Sequence, residues 1–169
     1  MIDQQLIFDG TFAGVPLAPV GVAITASRVS SNVLDFLTGR DMGADEPLGI
    51  HVIITEAFAT LTSLVVNLEV CDTVGGSYLN ILSSPVLPVA QLVANTEIFR
   101  YAFPVNQLLN AVAGVLKTPG RFARLNYTVG GSSATTGKVF AYLNPRPDRN
   151  AFYSYPKNYT AATAAGELV

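Results

Sequence analysis

The chain has 169 residues and a net charge of −2; half of it is apolar and only 13% is charged, against about 25% in an average soluble domain. That length suits one domain able to bury roughly 70% of its unfolded surface, and a single cysteine, Cys71, excludes an internal disulfide framework. So few charges suggest that much of the folded surface is covered by another molecule, the other reading being a soluble β-domain with a threonine- and serine-rich surface.

Met1, Ile2, Asp3, Gln4 and Gln5 lack the basic start of a secretory signal. Residues 5–9 read as a first strand. The uncharged run over residues 10–27 is broken by Gly14, Pro16, Pro19 and Gly21. It therefore reads as an apolar loop and a strand at 20–26, not a membrane span. A protein soluble in the cytoplasm where it is made is expected, with no membrane partner. Residues 33–37 give a third strand. The following loop gathers Asp41, Asp45 and Glu46 beside Arg40. Its spacing does not follow the Asp-x-Asp-x-Asp calcium loop, so an Arg40–carboxylate contact is the expected role and no metal is assigned.

Residues 48–55 place Leu48, Ile50, Val52 and Ile54 on one face of a strand, and residues 64–70 do the same with Leu64, Val66, Leu68 and Val70. Asn67 and Glu69 then point outward. His51, the one histidine, alternates with apolar strand neighbours and has no second ligand at metal spacing, so it reads as a satisfied strand residue. Cys71 closes the second strand as a small core hydrophobe. The turn over residues 72–77 is nucleated by Asp72, with Gly75 and Gly76 expected at positive φ. A strand over 78–82 completes that hairpin, and residues 98–103 form another strand. Helical spacing occurs only at Val105, Leu108, Leu109, Val112 and Leu116. With Gly114 and two asparagines among them, a short helix or a loop turn is predicted there.

The alternation is strictest over residues 120–129, where Ala123, Leu125, Tyr127 and Val129 point one way and Phe122, Arg124, Asn126 and Thr128 the other. Gly130, Gly131, Ser132 and Ser133 then predict a hairpin into a strand over 137–143. The same stretch superficially resembles a phosphate loop. It has five residues between Gly131 and Gly137 where the motif needs four, and Val139 stands in place of the magnesium-binding hydroxyl. It also joins strand to strand, so no helix N-terminus is available and no phosphate site is assigned. Asn126-Tyr127-Thr128 and Asn158-Tyr159-Thr160 match the glycosylation acceptor pattern, which has no consequence without a secretory signal.

Pro145 and Pro147 stop the last strand. Beyond them Phe152, Tyr153, Tyr155 and Tyr159 crowd a short stretch. They predict an arm that docks in extended form on a neighbour, the other reading being a tail folded back on its own domain. The chain thus divides into a β domain over 1–143 and a C-terminal arm over 144–169. Eight or nine strands separated by turn residues point to an all-β sandwich or jelly roll. The absence of a Cys–Trp–Cys pattern disfavours an immunoglobulin domain.

The charges are segregated. Residues 1–97 hold ten acidic and two basic side chains, whereas residues 98–147 hold six basic ones (Arg100, Lys117, Arg121, Arg124, Lys138, Arg146) and no acid. Two readings stay open: an acidic partner surface contacted by Arg100, Arg121 and Arg124, or acidic and basic strands paired within one domain. Six dispersed positive charges make a poor phosphate track, so no nucleic-acid partner is expected. No catalytic residue, cofactor or enzyme activity is assigned.

Several of these segments together resemble the capsid cement, or decoration, proteins of tailed phages, of the Bordetella phage cement protein type. They are Ser31 to Asp35, the loop Gly39-Arg40-Asp41-Met42-Gly43-Ala44-Asp45-Glu46-Pro47-Leu48, the strand at 64–70 with its turn, and Arg121 to Gly131 with Thr136-Gly137-Lys138-Val139. They stand in the family's order over most of residues 32–143. The resemblance implies a jelly-roll-like antiparallel β-sandwich on the outside of an icosahedral capsid. It implies a homodimer or homotrimer bridging neighbouring major capsid proteins, and it brings no catalytic residue. The loop at 10–19 and the tail after Asn144 are longer than the family pattern. The competing classes are a carbohydrate-binding sandwich and a tail- or fibre-associated module. The first lacks tryptophan platforms and the second lacks repeats or heptads.

Overall fold

The computed structural model describes residues 6–14, 18–36, 48–102 and 121–144. In chain order the strands are β1 (Ile7–Asp9), β2 (Thr11–Ala13), β3 (Ala18–Val20), β4 (Val22–Ala23), β5 (Arg28–Val29), β6 (Leu34–Asp35), β7 (Gly49–Cys71), β8 (Leu79–Ser83), β9 (Leu87–Pro88), β10 (Glu97–Ala102) and β11 (Phe122–Asn144). A 3₁₀ turn, Val89–Gln91, follows β9. The described residues form an all-β antiparallel sandwich built from a 9-stranded sheet, with β2 and β3 as a separate ribbon.

β7 and β11 are each 23 residues long and pair with each other from Phe122↔Cys71 to Asn144↔Gly49. Kept straight, such a strand would reach about 75 Å at about 3.3 Å per residue, far beyond the width of a domain this size. Both strands therefore bend, and they bend at the same place. Between Gly131↔Leu61 and Thr136↔Ala59, β11 advances five residues while β7 advances two. Extra residues of this kind break the ladder and turn a strand. The backbone there enters the left-handed region at Thr60 (φ 73°), Gly131 (φ 80°) and Gly137 (φ 134°).

The bend divides the sheet into two layers. In the first, the early part of β11 lies between β5 and β6 on one side and the late part of β7 on the other, with β8 and β9 outside β7. In the second, the late part of β11 lies between β1 and β4 and the early part of β7, with β10 outside. Strands that switch sheets through bulges are how corners of such sandwiches are made. The two inner faces share one core. Leu64, Val66, Leu68, Leu125 and Tyr127 from the first layer join Ile50, Val52, Ile54, Val139 and Leu143 from the second. The positions expected to face inward on both long strands are buried, Val129 only partly, but the alternation is not strict, since His51, Glu69 and Phe140 on the other face are buried as well.

Three expectations are corrected. Gly130, Gly131, Ser132 and Ser133 do not close a hairpin, because both arms of β11 pair with β7 rather than with each other. The strands expected at 48–55 and 64–70 are likewise the two arms of β7. Local turn residues look the same whether the chain reverses or merely bends; the partner strand decides. In the turn after β7, Gly75 and Gly76 are absent from the positive-φ positions. Gly76 is needed for space, since a Cβ there would lie 2.6 Å from Cys71 Sγ and 2.4 Å from Thr73 Oγ1. The helix or turn expected over 104–116, the Arg40 loop and the arm over 145–169 lie outside the described residues.

Candidate partner-binding surface

The outer face of the first layer is polar because the outward positions of β7 and β11 alternate with the core positions. Glu69 and Arg124 are directly opposed in the ladder, and Arg124 Nε donates to Glu69 Oε2 at 2.7 Å. Asn126 Nδ2 donates to the other carboxylate oxygen at 2.6 Å. The Tyr78 ring covers the guanidinium, 3.8 Å from its carbon to the ring centroid. Burial pushes the Tyr78 hydroxyl above its ordinary pKa, against the pull of Arg124. Asn80 extends the network to Asn67 Oδ1 and Ser83 Oγ. This face is a self-satisfied polar ladder.

Arg121 makes a two-point contact with Asp35, Nε to Oδ1 and Nη2 to Oδ2, both at 2.7 Å. The Asp35 carboxylate raises the pKa of this guanidinium by hydrogen bonding to it. Arg100 stands opposite His51 on β10, in the second layer. The three arginines expected to contact a partner are therefore not assembled on one face. Arg121 and Arg124 belong to the first layer and Arg100 to the second. Lys138 pairs with Glu56, and Arg28 with Asp9 at 3.3 Å. Of the two readings of the segregated charge, the structure shows acidic and basic strands meeting inside the domain. Phe152, Tyr153, Tyr155 and Tyr159 lie outside the described residues.

The outer face of the second layer is aromatic. Phe12 of the β2–β3 ribbon meets Phe140 edge-on at 4.9 Å, Phe140 lies 5.3 Å from Tyr142, and Tyr142 stacks on His51 at 5.1 Å. His51 Nδ1 is 2.5 Å from Glu97 Oε1, while its Nε2 is buried without a hydrogen-bond partner. Half of the satisfied-histidine expectation is thus met. Cys71 is buried, as expected of a core hydrophobe.

One buried polar cluster joins the layers, and sequence reasoning missed it. Asp9, fully buried at the end of β1, accepts from Tyr127 Oη at 2.9 Å, from Ser31 N at 2.8 Å and from Arg28 Nη2 at 3.3 Å. Burial, then the charge of Asp9, pushes the Tyr127 hydroxyl well above its ordinary pKa. The signal for it was a tyrosine at a core position of β11, since a buried phenol needs a partner. The partner's identity was not written locally. Among the described residues no group of three or more His, Cys, Asp or Glu side chains is placed to hold a metal, and no helix is long and apolar enough to cross a membrane.

The fold and these surfaces define an all-β antiparallel sandwich whose charged side chains largely serve its own strand pairing. Over residues 19–143 the sequence matches the family model Bbp16. The chain belongs to the Bbp16 family, a bacteriophage protein family. No curated protein matches it.

Proposed function

We propose that this chain is a capsid cement protein, carried on the outer surface of a tailed-phage head and made in the host cytoplasm. Its partners are the major capsid protein and further copies of itself, as a homodimer or homotrimer, with no nucleic acid, membrane, cofactor or catalysis involved. The observation that carries the reading is the Bbp16 match, which spans nearly all the described sandwich. The low charge content supports it, because a surface poor in charge suits being covered.

The mechanism is physical. A protein that binds the assembled shell and not its free subunits stabilises the shell by mass action. Many identical copies multiply modest contacts through avidity. The test uses heads of the cognate phage assembled without this protein. Adding the purified full chain should give co-sedimentation at saturable stoichiometry and should raise the temperature at which heads release DNA. Heads that neither bind the protein nor gain stability overturn the reading.

A further inference from the structure

The bend of the sandwich brings together three stretches that are far apart in sequence and share one property. Residues 57–68 of β7, residues 125–137 of β11 and residues 73–96 contain no Asp, Glu, Lys or Arg. Pairing places them side by side. Gly130↔Ser63, Gly131↔Leu61 and Thr136↔Ala59 join the long strands at the corner. Leu87↔Leu64, Pro88↔Ser63 and the Phe58 N–H donating to Leu92 O lay the third stretch along the same part of β7. Among the described residues the ladder charges beside these stretches are paired within the domain: Lys138 with Glu56, Arg124 with Glu69, and Arg28, which stands opposite Tyr127, with Asp9.

This uncharged corner is exposed, and it carries apolar groups at its rim: Val86 is 67% exposed and Val93 50%. It is also held in a strained geometry. Thr60, a β-branched residue, sits at φ 73°, a conformation such residues rarely adopt. Its Oγ1 lies 2.7 Å from Ser133 O and accepts the Thr135 N–H at 3.0 Å, so the side chain clamps the two strands where they turn. Strain of this kind persists where the surroundings over-determine it.

We infer that this corner is the surface through which two copies of the chain meet. The charge pattern favours a second copy over an unrelated partner. Where identical patches face each other across a two-fold axis, each residue near the axis meets its own twin. A charge there would oppose a like charge, whereas contacts between different proteins use charge for steering and specificity. A corner of hydroxyl, alanine and valine side chains is what self-contact permits. The inference rests on the oligomeric part of the function proposed above and gives it a surface.

The experiment measures the mass of the full chain in solution by sedimentation over a concentration series. The chains compared are the wild type, Ser132→Asp and Ser132→Lys, an exposed position with its side chain free of the clamp, and Arg121→Ala as a variant away from the corner. Circular dichroism confirms that each folds. Each substitution at the contact acts twice, so Asp or Lys alone should weaken self-association at least tenfold at low salt, and an equimolar mixture of the two should recover it. Wild-type association should change little between 0.05 and 0.5 M salt, where screening of exposed charges sets in, and Arg121→Ala should associate like the wild type. If Ser132→Asp and Ser132→Lys associate as well as the wild type, the corner is not the contact, while the oligomer stands. If neither recovers in the mixture, the contact is not symmetric, and the inference fails. If the wild type is a monomer at every concentration, the oligomeric part of the proposed function fails with it. Binding to heads, measured separately, bears on the capsid reading alone.

Discussion

At the scale of single residues, two polar groups decide how the interior tolerates charge. The Tyr127 hydroxyl donates to the buried Asp9 carboxylate, so Tyr127→Phe removes a donor and leaves Asp9 with Ser31 and Arg28. A lost hydrogen bond to a buried charged group is worth about 1–3 kcal/mol, which urea unfolding should register as a lower midpoint with unchanged slope. The raised pKa of Tyr127 adds a pH dependence. In the unfolded chain this phenol releases its proton near pH ~10, whereas the folded one retains it. Its contribution is full below that value and is lost as pH climbs from there towards the folded pKa. The wild type should therefore lose stability above about pH 10 more steeply than Tyr127→Phe. The arginines separate by burial. Arg124→Ala leaves the largely buried Glu69 with Asn126 alone and should destabilise by about 1–3 kcal/mol. The exposed Arg121–Asp35 pair should contribute nothing measurable, so Arg121→Ala should unfold with the wild type. If Arg124→Ala instead unfolds with the wild type but no longer binds heads, its function is in partner contact after all.

At the scale of elements, both layers depend on the bend shared by β7 and β11. At Gly137 a Cβ would lie 2.2 Å from the Phe58 ring, and φ is 134°. Gly137→Ala therefore displaces a core aromatic and strains the backbone together. It should cost more than about 2 kcal/mol, read as a fall in thermal midpoint of several degrees. The equivalent change at Gly75, where nothing lies within 4 Å and φ is not positive, should leave the midpoint almost unmoved. If residues beyond Pro147 dock on a neighbour as the sequence predicts, their loss has a direct readout. Truncation after Pro147 removes Phe152, Tyr153, Tyr155 and Tyr159, and it should lower occupancy on heads at least tenfold at subsaturating protein. Full occupancy by the truncated chain would sink the idea that these aromatics are anchors.

At the scale of the whole molecule, the described strands pair with β7 or β11, the ribbon of β2 and β3 excepted. Long-range pairing of this kind joins residues such as Phe122 and Cys71 that are about fifty positions apart. Folding dominated by such contacts is slow, because loop-closure entropy is lost before the contacts form. Refolding in the millisecond-to-second range is expected by stopped-flow fluorescence of the tyrosines. A microsecond phase accounting for the full amplitude would contradict this topology.

What the sequence determined by itself is the set of faces. Period-two alternation assigned Ile50, Val52, Leu64, Leu125 and Tyr127 to the core, since a strand has two sides and burial requires one of them to be apolar. It also marked Glu69, Asn67, Arg124 and Asn126 as outward, and it named opposite charges in separate halves of the chain. Only the tertiary structure decided who faces whom. Pairing joined Arg124 to Glu69 and Tyr127 to Asp9, and it turned an expected hairpin into one bent strand. A pattern of alternation repeats every two residues and so carries no memory of the partner. Register over a long strand is settled by which pairing lets both arms bury their apolar face in a common interior at once.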